Sequence, residues 1–326
     1  KVLDRLEALM DWKTPLQPGA GVKKGRGIAI GFKACVSPTT SLAMVTVNAD
    51  GSCIVYCSTA DMGQGSDTAM AQIAGEVLHL AAESITVVHS DTDVTPYDMA
   101  TLGSRSLFHM GNAVKLAAED VLKKLNQLKS ELQLPPDCPV PDIFKKKYGM
   151  QAGNVVGSGS YIPSYKSPDA NGLTDNATPF WMVGGTGAEV EVDTETGRVR
   201  ITRLVNVADV GTPINPKIVE TQLSGAAIMQ LGFTLFEKME FDAQGQLRNA
   251  SFAEYKIPGL LDLPDHMTNE AVVAEQKTGP YGAKGVGETG TFGVSPAIAN
   301  AIHDAVGVRL TSLPLSAEAV FMAMRK

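Results

Sequence analysis

A single carboxylate, Glu288, lies in a stretch of main chain that is unusually rich in glycine. Residues 281–294 read YGAKGVGETGTFGV, with glycine at positions 282, 285, 287, 290 and 293. Glycine has no Cβ atom, so its backbone can approach a ligand closely. A carboxylate presented by such a loop can reach a bulky partner and accept a proton from it. The residue types therefore predict that Glu288 is a general base.

A helix is predicted directly behind this loop. Ser295 is suited to the N-cap, Pro296 to the first helical position and Gly307 to the residue after the helix. A flexible loop mounted on a rigid helix is a suitable support for a reacting side chain. On residue chemistry alone, a solvated surface turn with an incidental glutamate stays open as an alternative.

A nucleotide-binding loop is a second alternative for the same residues. Gly285, Gly287 and Gly290 satisfy the spacing G-x-G-x-x-G. That fingerprint needs a strand immediately before it and a helix opening from it. The preceding residues 277–284, KTGPYGAK, contain a proline and two glycines and do not form a strand pattern. The context argues against a dinucleotide-binding protein.

Two further segments have residues that suit ligand binding. Met62, Gly63, Gln64 and Gly65 precede a helix predicted from Ser66, where free backbone N–H groups attract anions and Gln64 can donate and accept hydrogen bonds. Residues 103–106, Gly-Ser-Arg-Ser, combine a flexible backbone and two hydroxyls with an arginine that can bind phosphate through two hydrogen bonds. An ordinary turn for the first segment and a surface salt bridge for Arg105 stay open.

Four other polar residues have less specific signals. Gln222 is predicted to lie on a helix after Asn215. Asp209 and Asn215 are expected to organise loops, because Asp and Asn side chains bond nearby backbone. Lys284 is expected to be solvated or, less readily, to face a carboxylate substrate.

The periodicity of the chain predicts an α+β fold with two similar subdomains, each containing strand pairs followed by helices. Strands are predicted over 27–34, 41–47, 53–58, 85–88, 188–192 and 199–207, and helices from residue 66 and over 112–132 and 217–235. The expected division is an N-terminal partner-contacting segment (1–24), a first subdomain (25–140), an irregular, proline-rich connection (141–186) and a second subdomain (187–326).

Composition excludes several classes of protein. The net charge of −7 argues against nucleic acid as a partner, and no apolar run is long enough to span a membrane. The charged N-terminal residues do not resemble a signal peptide, so a cytoplasmic location is expected. Cys35, Cys53, Cys57 and Cys138 have no metal-binding spacing and are expected to be buried free thiols. No motif predicts a metal held by protein ligands.

Five segments together resemble one family, the molybdenum hydroxylases that include xanthine dehydrogenase and aldehyde oxidoreductase. GVGE (285–288) with PAIANAIHDAVGVRL (296–310) is similar to the family's C-terminal signature, although Thr289 and Gly290 replace its usual proline pair. The other similar segments are DMGQGSDTAMAQIAGE (61–76), LGSRSLFHMGNAV (102–114), VADVGTPINPKIVETQLSG (207–225) and NASFAEYKIPGLLDLP (249–264). They occur in the family's order over most of residues 25–310.

The resemblance implies a cofactor and roles for the residues above. The cofactor would be molybdopterin cytosine dinucleotide, with molybdenum that carries a sulfido or selenido ligand and has no direct protein ligand. Glu288 matches the family's base position. The cofactor-binding residues implied are Met62, Gly63, Gln64, Gly65, Gly103, Ser104, Arg105, Ser106, Gln222, Gly285, Val286 and Gly287.

The chain resembles only the second half of the family's molybdopterin-binding region. The first half of that region carries a G-G-x-F-G loop, whereas the Gly184–Gly185 pair here is followed by threonine. The resemblance therefore implies a separate large molybdopterin subunit, together with an FAD subunit and an iron–sulfur subunit carrying [2Fe–2S] clusters. Such a split is typical of the family's nicotinate dehydrogenases. The expected reaction is hydroxylation of an N-heterocycle with water as the oxygen source. The best candidate is the conversion of nicotinate to 6-hydroxynicotinate. Another N-heterocycle or an aldehyde, or a non-catalytic structural subunit, is the alternative.

Overall fold

The computed structural model describes residues 1–17, 19–35 and 39–326. Its helices are α1 (Val2–Leu9), α2 (Ser66–Leu78), α3 (Ser106–Glu131), α4 (Val140–Tyr148), α5 (Pro216–Leu235), α6 (Val294–Val306) and α7 (Ala317–Met324). Its strands are β1 (Val22–Ala34), β2 (Ser41–Asn48), β3 (Cys53–Cys57), β4 (Ile85–Val88), β5 (Asn154–Tyr161), β6 (Trp181–Asp193), β7 (Val199–Asp209) and β8 (His266–Val272).

The strands form two four-stranded sheets. The first half of the fold has the order β4-β3-β2-β5, and the second half has the order β1-β6-β7-β8. Each sheet is mixed, because β3–β4 and β7–β8 are parallel pairs while the other neighbours are antiparallel. The predicted α+β class with two mixed sheets and helices is confirmed.

In the second half, helix α6 lies directly on the edge strand β1. A Cβ atom placed at Gly25 would lie 2.1 Å from the carbonyl oxygen of Ala301, and one at Gly27 would lie 2.1 Å from that of Ala297. Both distances are far below van der Waals contact, so only glycine allows this approach. Because side chains alternate along a strand, Gly25 and Gly27 present one bare face to the small residues of α6.

The first half repeats this contact with helix α3 and the edge strand β5. A Cβ atom at Gly157 would lie 2.2 Å from the oxygen of Ala117, and one at Gly159 would lie 2.0 Å from that of Ala113. Both halves thus join a Gly-x-Gly strand to a helix with two alanines four residues apart.

Helix α1 covers the other face of the second sheet. The buried side chains of Leu6 in this helix and of Met10 directly after it fill the space above Gly185 and Gly187 of β6, where a Cβ atom would approach them within 2.7 Å and 2.6 Å. The helix is therefore part of this chain's own core. Contact of residues 1–24 with a partner stays a prediction.

Three details differ from the sequence-based expectations. Strand β1 pairs with β6, so the sheet of the second half includes residues assigned to the 25–140 segment. Strand β5 lies inside 141–186, so the expectation of an irregular connection is wrong for these residues. Helix α3 begins at Ser106, six residues before the predicted start. The sequence of β5, NVVGSGSY, has no apolar alternation because its glycines face a helix backbone, so the local pattern does not reveal it.

All four cysteines are buried and free, as the sequence predicts. Burial raises the pKa of the Cys35 and Cys53 thiols to about 11 and that of Cys57 to about 12. Within the described ranges, no helix combines the length and hydropathy needed to cross a lipid bilayer.

Candidate functional site

A cavity of about 290 Å³ lies between the two halves, and most of the predicted site residues line it. They come from four separate parts of the sequence: the turn before α2, the loop before α3, helix α5 and the glycine-rich loop before α6. The predicted residues in its lining are Met62, Gln64, Gly65, Gly103, Ser104, Ser106, Gln222, Gly285, Val286, Gly287 and Glu288. Only Gly63 and Arg105 of the predicted set lie outside the lining.

Three helices begin at this cavity. Its lining includes Ser66 at the start of α2, Ser106 at the start of α3 and Ile218 in the first turn of α5. Asn215 fixes the last of these, because its Oδ1 accepts a hydrogen bond from the Ile218 N–H at 3.1 Å. The N-terminal end of a helix carries a partial positive charge and unbonded N–H groups. The N–H groups at these three ends that no side chain caps can bond an anionic ligand such as a phosphate.

Gly65 and Gly285 line the cavity with bare backbone, at positions where other residues would place a side chain. Gly65 has φ +76°, and a Cβ atom there would lie 2.6 Å from Ile218 Cδ1. A Cβ atom at Gly285 would lie 1.7 Å from the carbonyl oxygen of Ser104. The loops before α3 and α6 thus touch main chain to main chain, and Gly285 cannot be replaced without moving them. At Gly65 the positive φ favours glycine.

Glu288 lies where these two loops meet. Its N–H donates to Ser104 Oγ at 3.0 Å, and its carbonyl oxygen accepts from Thr291 Oγ1 at 2.8 Å. The backbone of the residue is therefore fixed from both sides. Its carboxylate remains 47% exposed, and its Oε2 accepts a hydrogen bond from Lys33 Nζ. A fixed backbone with an accessible carboxylate is the geometry that a general base requires.

A buried ion pair anchors the loop that carries Glu288. Lys284 Nζ lies 2.6 Å from Asp209 Oδ2 and also donates to the carbonyl oxygen of Trp181 at 3.2 Å. Both charged side chains are only 9% exposed. Lys284 is thus neither solvated nor free to bind substrate, and both expectations for it are wrong. Asp209 organises its loop as predicted, because its Oδ1 accepts hydrogen bonds from the Gly211 and Ala274 N–H groups.

A second buried ion pair anchors the loop that carries Ser104. Arg105 is fully buried and pairs with Asp98 Oδ1 at 2.7 Å. Its guanidinium also donates to Ser41 Oγ at 2.8 Å and to the carbonyl oxygen of Ala100 at 2.9 Å. These bonds turn the side chain into the protein, away from the cavity. The expected surface salt bridge of Arg105 is therefore wrong, because the pair is buried. A contact between Arg105 and the cofactor stays a prediction.

The turn before α2 contains more internal hydrogen bonds than the sequence suggests. Gln64 Oε1 accepts from the Met62 N–H at 2.6 Å, and Gln64 Nε2 donates to the carbonyl oxygen of Ala60 at 2.7 Å. Asp61 accepts hydrogen bonds from the N–H groups of Gly63, Gly65 and Asp67. Burial opposes ionisation of Asp61, but these three donors hold its pKa below the usual range. Several N–H groups expected to be free are thus already bonded.

Other polar groups that line the cavity have no partner among the described residues. Gln222 lies on α5 as predicted, and its side-chain amide bonds to none of the described residues. Within the same ranges, the backbone N–H groups of residues 285–287 also lack a protein acceptor. An amide that both donates and accepts, beside a row of N–H donors, fits the edge of a hydrogen-bonding heterocycle.

A second cavity, of about 530 Å³, lies on the other side of Glu288. Gln222, Gly287 and Glu288 line both cavities and form the wall between them. The rest of the second lining is largely apolar: Gly225, Ala226, Met229, Thr291 and Phe292, with Lys33 at one side. Glu288 can therefore act between a ligand in one cavity and a ligand in the other. In the described ranges, no three His, Cys, Asp or Glu side chains lie close enough together to hold a metal ion.

Comparison with known proteins identifies the family. The model of the molybdopterin cofactor-binding domain matches residues 5–264. The chain belongs to that family. More broadly, it is the C-terminal half of the molybdopterin-binding region of the molybdenum hydroxylases, as the five sequence segments indicate. The cavity, with its helix ends, bare backbone and unbonded donors, fits a phosphate-bearing pterin.

Members of the family with known names align with nearly the whole chain. The probable hypoxanthine oxidase XdhD of Escherichia coli is 31% identical over all of this chain and 35% of its own length. The gamma subunit of the 6-hydroxypseudooxynicotine dehydrogenase complex of Paenarthrobacter nicotinovorans is 32% identical over 85% of this chain and 36% of its own length. The structure of aldehyde oxidoreductase from Desulfovibrio gigas superimposes with a TM-score of 0.82 and 29% identity, covering all of this chain and 34% of that protein. The chain thus spans about a third of the length of these relatives.

Lys33 is the site residue that the sequence analysis missed. It lies at the end of β1 and pairs with Glu288, which is 255 positions away in the sequence. One signal was available: on β1 the glycines at 25, 27 and 31 share a strand face with position 33. A lysine at the end of a face made of glycine needs a partner above the sheet.

Proposed function

We propose that this chain is the molybdopterin-binding part of a multi-subunit molybdenum hydroxylase that hydroxylates an N-heterocycle, with nicotinate to 6-hydroxynicotinate as the first reaction to test. The observation that carries the proposal is the position of Glu288 in the wall between two cavities. One cavity has the donors that a pterin and its phosphates need. The other has apolar walls suited to a small ring.

The cofactor proposed for the first cavity is molybdopterin cytosine dinucleotide. The starts of α2, α3 and α5 would hold its phosphates, and Gln222 with the N–H groups of 285–287 would hold its ring system. When bound, this group supplies the two-electron oxidation through molybdenum that carries a sulfido or selenido ligand. FAD and [2Fe–2S] clusters on partner subunits would carry the electrons away.

Glu288 would act as the general base for the water that supplies the oxygen. Its Oε2 is held by Lys33, which leaves Oε1 to accept the proton. Ser104 and Thr291 fix the backbone on both sides of the carboxylate and so limit its position. A base held in place in this way avoids the entropy cost of finding the reacting geometry.

A large molybdopterin subunit is proposed to cover this face of the molecule. Two large apolar side chains in the cavity linings are exposed, Met62 at 73% and Met229 at 63%. Exposed apolar patches of this kind mark interaction sites. A cytoplasmic location stays a prediction.

The test is the variant Glu288→Gln in the complete complex. Molybdenum and pterin content should stay at the wild-type level, because the amide keeps the shape of the side chain. Turnover should fall by about 10²–10⁴, the usual effect of removing a positioned general base. Metal analysis and steady-state kinetics with nicotinate, and then with other N-heterocycles and aldehydes, measure both.

Glu275→Gln is the matched control, since Glu275 is an exposed carboxylate that pairs with Lys277 on the surface. It should leave turnover unchanged. Wild-type turnover in Glu288→Gln would reject the base assignment and would favour a structural subunit instead.

A further inference from the structure

The ammonium group of Lys33 can bind a ligand in the second cavity in addition to Glu288. Among the described residues that line the second cavity, Lys33 carries the only positive charge and Glu288 the only negative charge. The lysine side chain is 41% exposed, and its one hydrogen bond within the described ranges goes to Glu288 Oε2. An ammonium group has three N–H donors. Two of them are therefore available to a ligand in the cavity.

The surroundings leave the ammonium uncovered. A Cβ atom at Gly103 would lie 3.8 Å from Lys33 Nζ, so a side chain at that position would stand beside the charge. Glycine there leaves the space open. The Lys33 ammonium thus lies at the junction of the two cavities, next to the carboxylate proposed to react.

The rest of the second cavity suits a flat ring. Phe292 offers an aromatic ring and Met229 a polarisable thioether, and both groups pack well against aromatic rings. Without Lys33, the charge nearest to a ligand in this cavity would be the Glu288 carboxylate, which repels anions. With Lys33 in place the pair is neutral, and a second carboxylate can share the ammonium.

We propose that Lys33 is the residue that selects the substrate by its negative charge, binding the carboxylate of a small ring compound while the ring lies between Phe292 and Met229. This inference rests on the proposed function, because it assigns the second cavity to the substrate. It makes Lys33 a specificity-determining residue. Lys33 holds Glu288 in this structure, and with the substrate bound it would bridge Glu288 and the substrate anion.

The test compares two ligands of the same shape, benzoate and the neutral benzamide, binding to the purified holoenzyme complex by titration calorimetry. Benzoate should bind the wild type at least about tenfold more tightly than benzamide, as expected for a hydrogen bond to a charged group. Lys33→Met should abolish this preference by weakening benzoate alone. Lys33→Arg should keep it.

Lys24→Met is the matched control. Lys24 lies on the same strand and pairs with a carboxylate, Glu191, at 3.1 Å, but lines neither cavity. It should leave both affinities unchanged. Equal binding of benzoate and benzamide to the wild type, or an unchanged preference in Lys33→Met, would overturn the inference.

The outcomes separate this inference from the proposed function. If Glu288→Gln loses turnover while Lys33→Met keeps its preference for benzoate, the base assignment stands and the role of Lys33 falls. If Glu288→Gln keeps full turnover, the base assignment falls, whatever the calorimetry of Lys33→Met shows.

Discussion

The two halves of the molecule use the same support for loops that have different roles. In each half a helix lies on the glycines of an edge strand, α3 on β5 and α6 on β1. In each half the loop before that helix reaches the same cavity. The loop of the first half presents a hydroxyl, from Ser104, and the loop of the second half presents a carboxylate, from Glu288.

The anchoring of the loops follows the same rule. Asp98 and Arg105 form a buried ion pair beside the first loop, and Asp209 and Lys284 form one beside the second. Glu288, the proposed base, is not part of either pair. The two buried ion pairs thus fix the loops, while Ser104 and Glu288 remain on the loops at the cavity. The Ser104 hydroxyl of the first half also supports the loop of the second half, because its oxygen accepts a hydrogen bond from the Glu288 N–H.

The largest effect is expected from breaking one ion pair in each half. Asp98→Leu leaves a buried arginine without its partner and should lower the free energy of unfolding by about 3–5 kcal/mol. Asp209→Leu should cost less, because a buried lysine can lose its proton whereas an arginine cannot. Calorimetric melting of the purified protein measures the difference.

The double variant Asp98→Leu with Arg105→Met serves as the control, because it removes both charges and should recover most of the lost stability. If the melting temperature of Asp209→Leu is lower than that of Asp98→Leu, the identity of the cation, lysine or arginine, does not decide the cost of losing its partner. This part of the comparison is then wrong.

An intermediate effect is expected from the strand glycines. Gly159→Ala and Gly27→Ala each place a Cβ atom about 2 Å from a helix carbonyl oxygen, at 2.0 Å and 2.1 Å. Each should lower the free energy of unfolding by roughly 1–3 kcal/mol, as overpacking does. Gly27→Ala should also lower turnover more than Gly159→Ala, since α6 follows the loop that carries Glu288. Melting temperature and kcat test the two parts separately, and a wild-type melting temperature in either variant would refute the packing argument for that half.

The smallest change in stability is expected at Gly225, where an added methyl group would face open space. Gly225 lies inside α5, and apart from the backbone of that helix no heavy atom of the described residues would lie within 4 Å of a Cβ atom there. Gly225→Ala should raise the free energy of unfolding by about 0.5–1 kcal/mol, since alanine is the better helix residue. A higher melting temperature would show that the losses at Gly27 and Gly159 come from packing. A lower one would mean that the helix does not tolerate a methyl group even in open space.

The residues of the site were predictable from the sequence because they lie in short, glycine-marked segments. Gln64, Ser104, Gln222 and Glu288 come from four such segments, and the fold brings them to one cavity. Glycine at 65 and 285 is required by close contacts that side chains would block. The residues that line the cavity could therefore be predicted from short segments of the sequence.

The partners of charged residues were not predictable in the same way. Lys33 with Glu288 and Asp209 with Lys284 are pairs formed between distant segments, so no local pattern reveals them. The same reason explains strand β1, whose neighbour β6 begins 147 positions after Ala34 in the sequence (181 − 34). Arg105 has the residue type of a phosphate ligand, but no local pattern reveals its burial beside Asp98.

The shared wall of Gln222, Gly287 and Glu288 has a practical consequence for inhibitor studies. Since one layer of residues divides the two chambers, a small compound can leave one of them while its neighbour stays filled. Under the proposed function, a blocker of the apolar chamber should stop turnover while the cofactor stays bound, and washing it out should restore turnover.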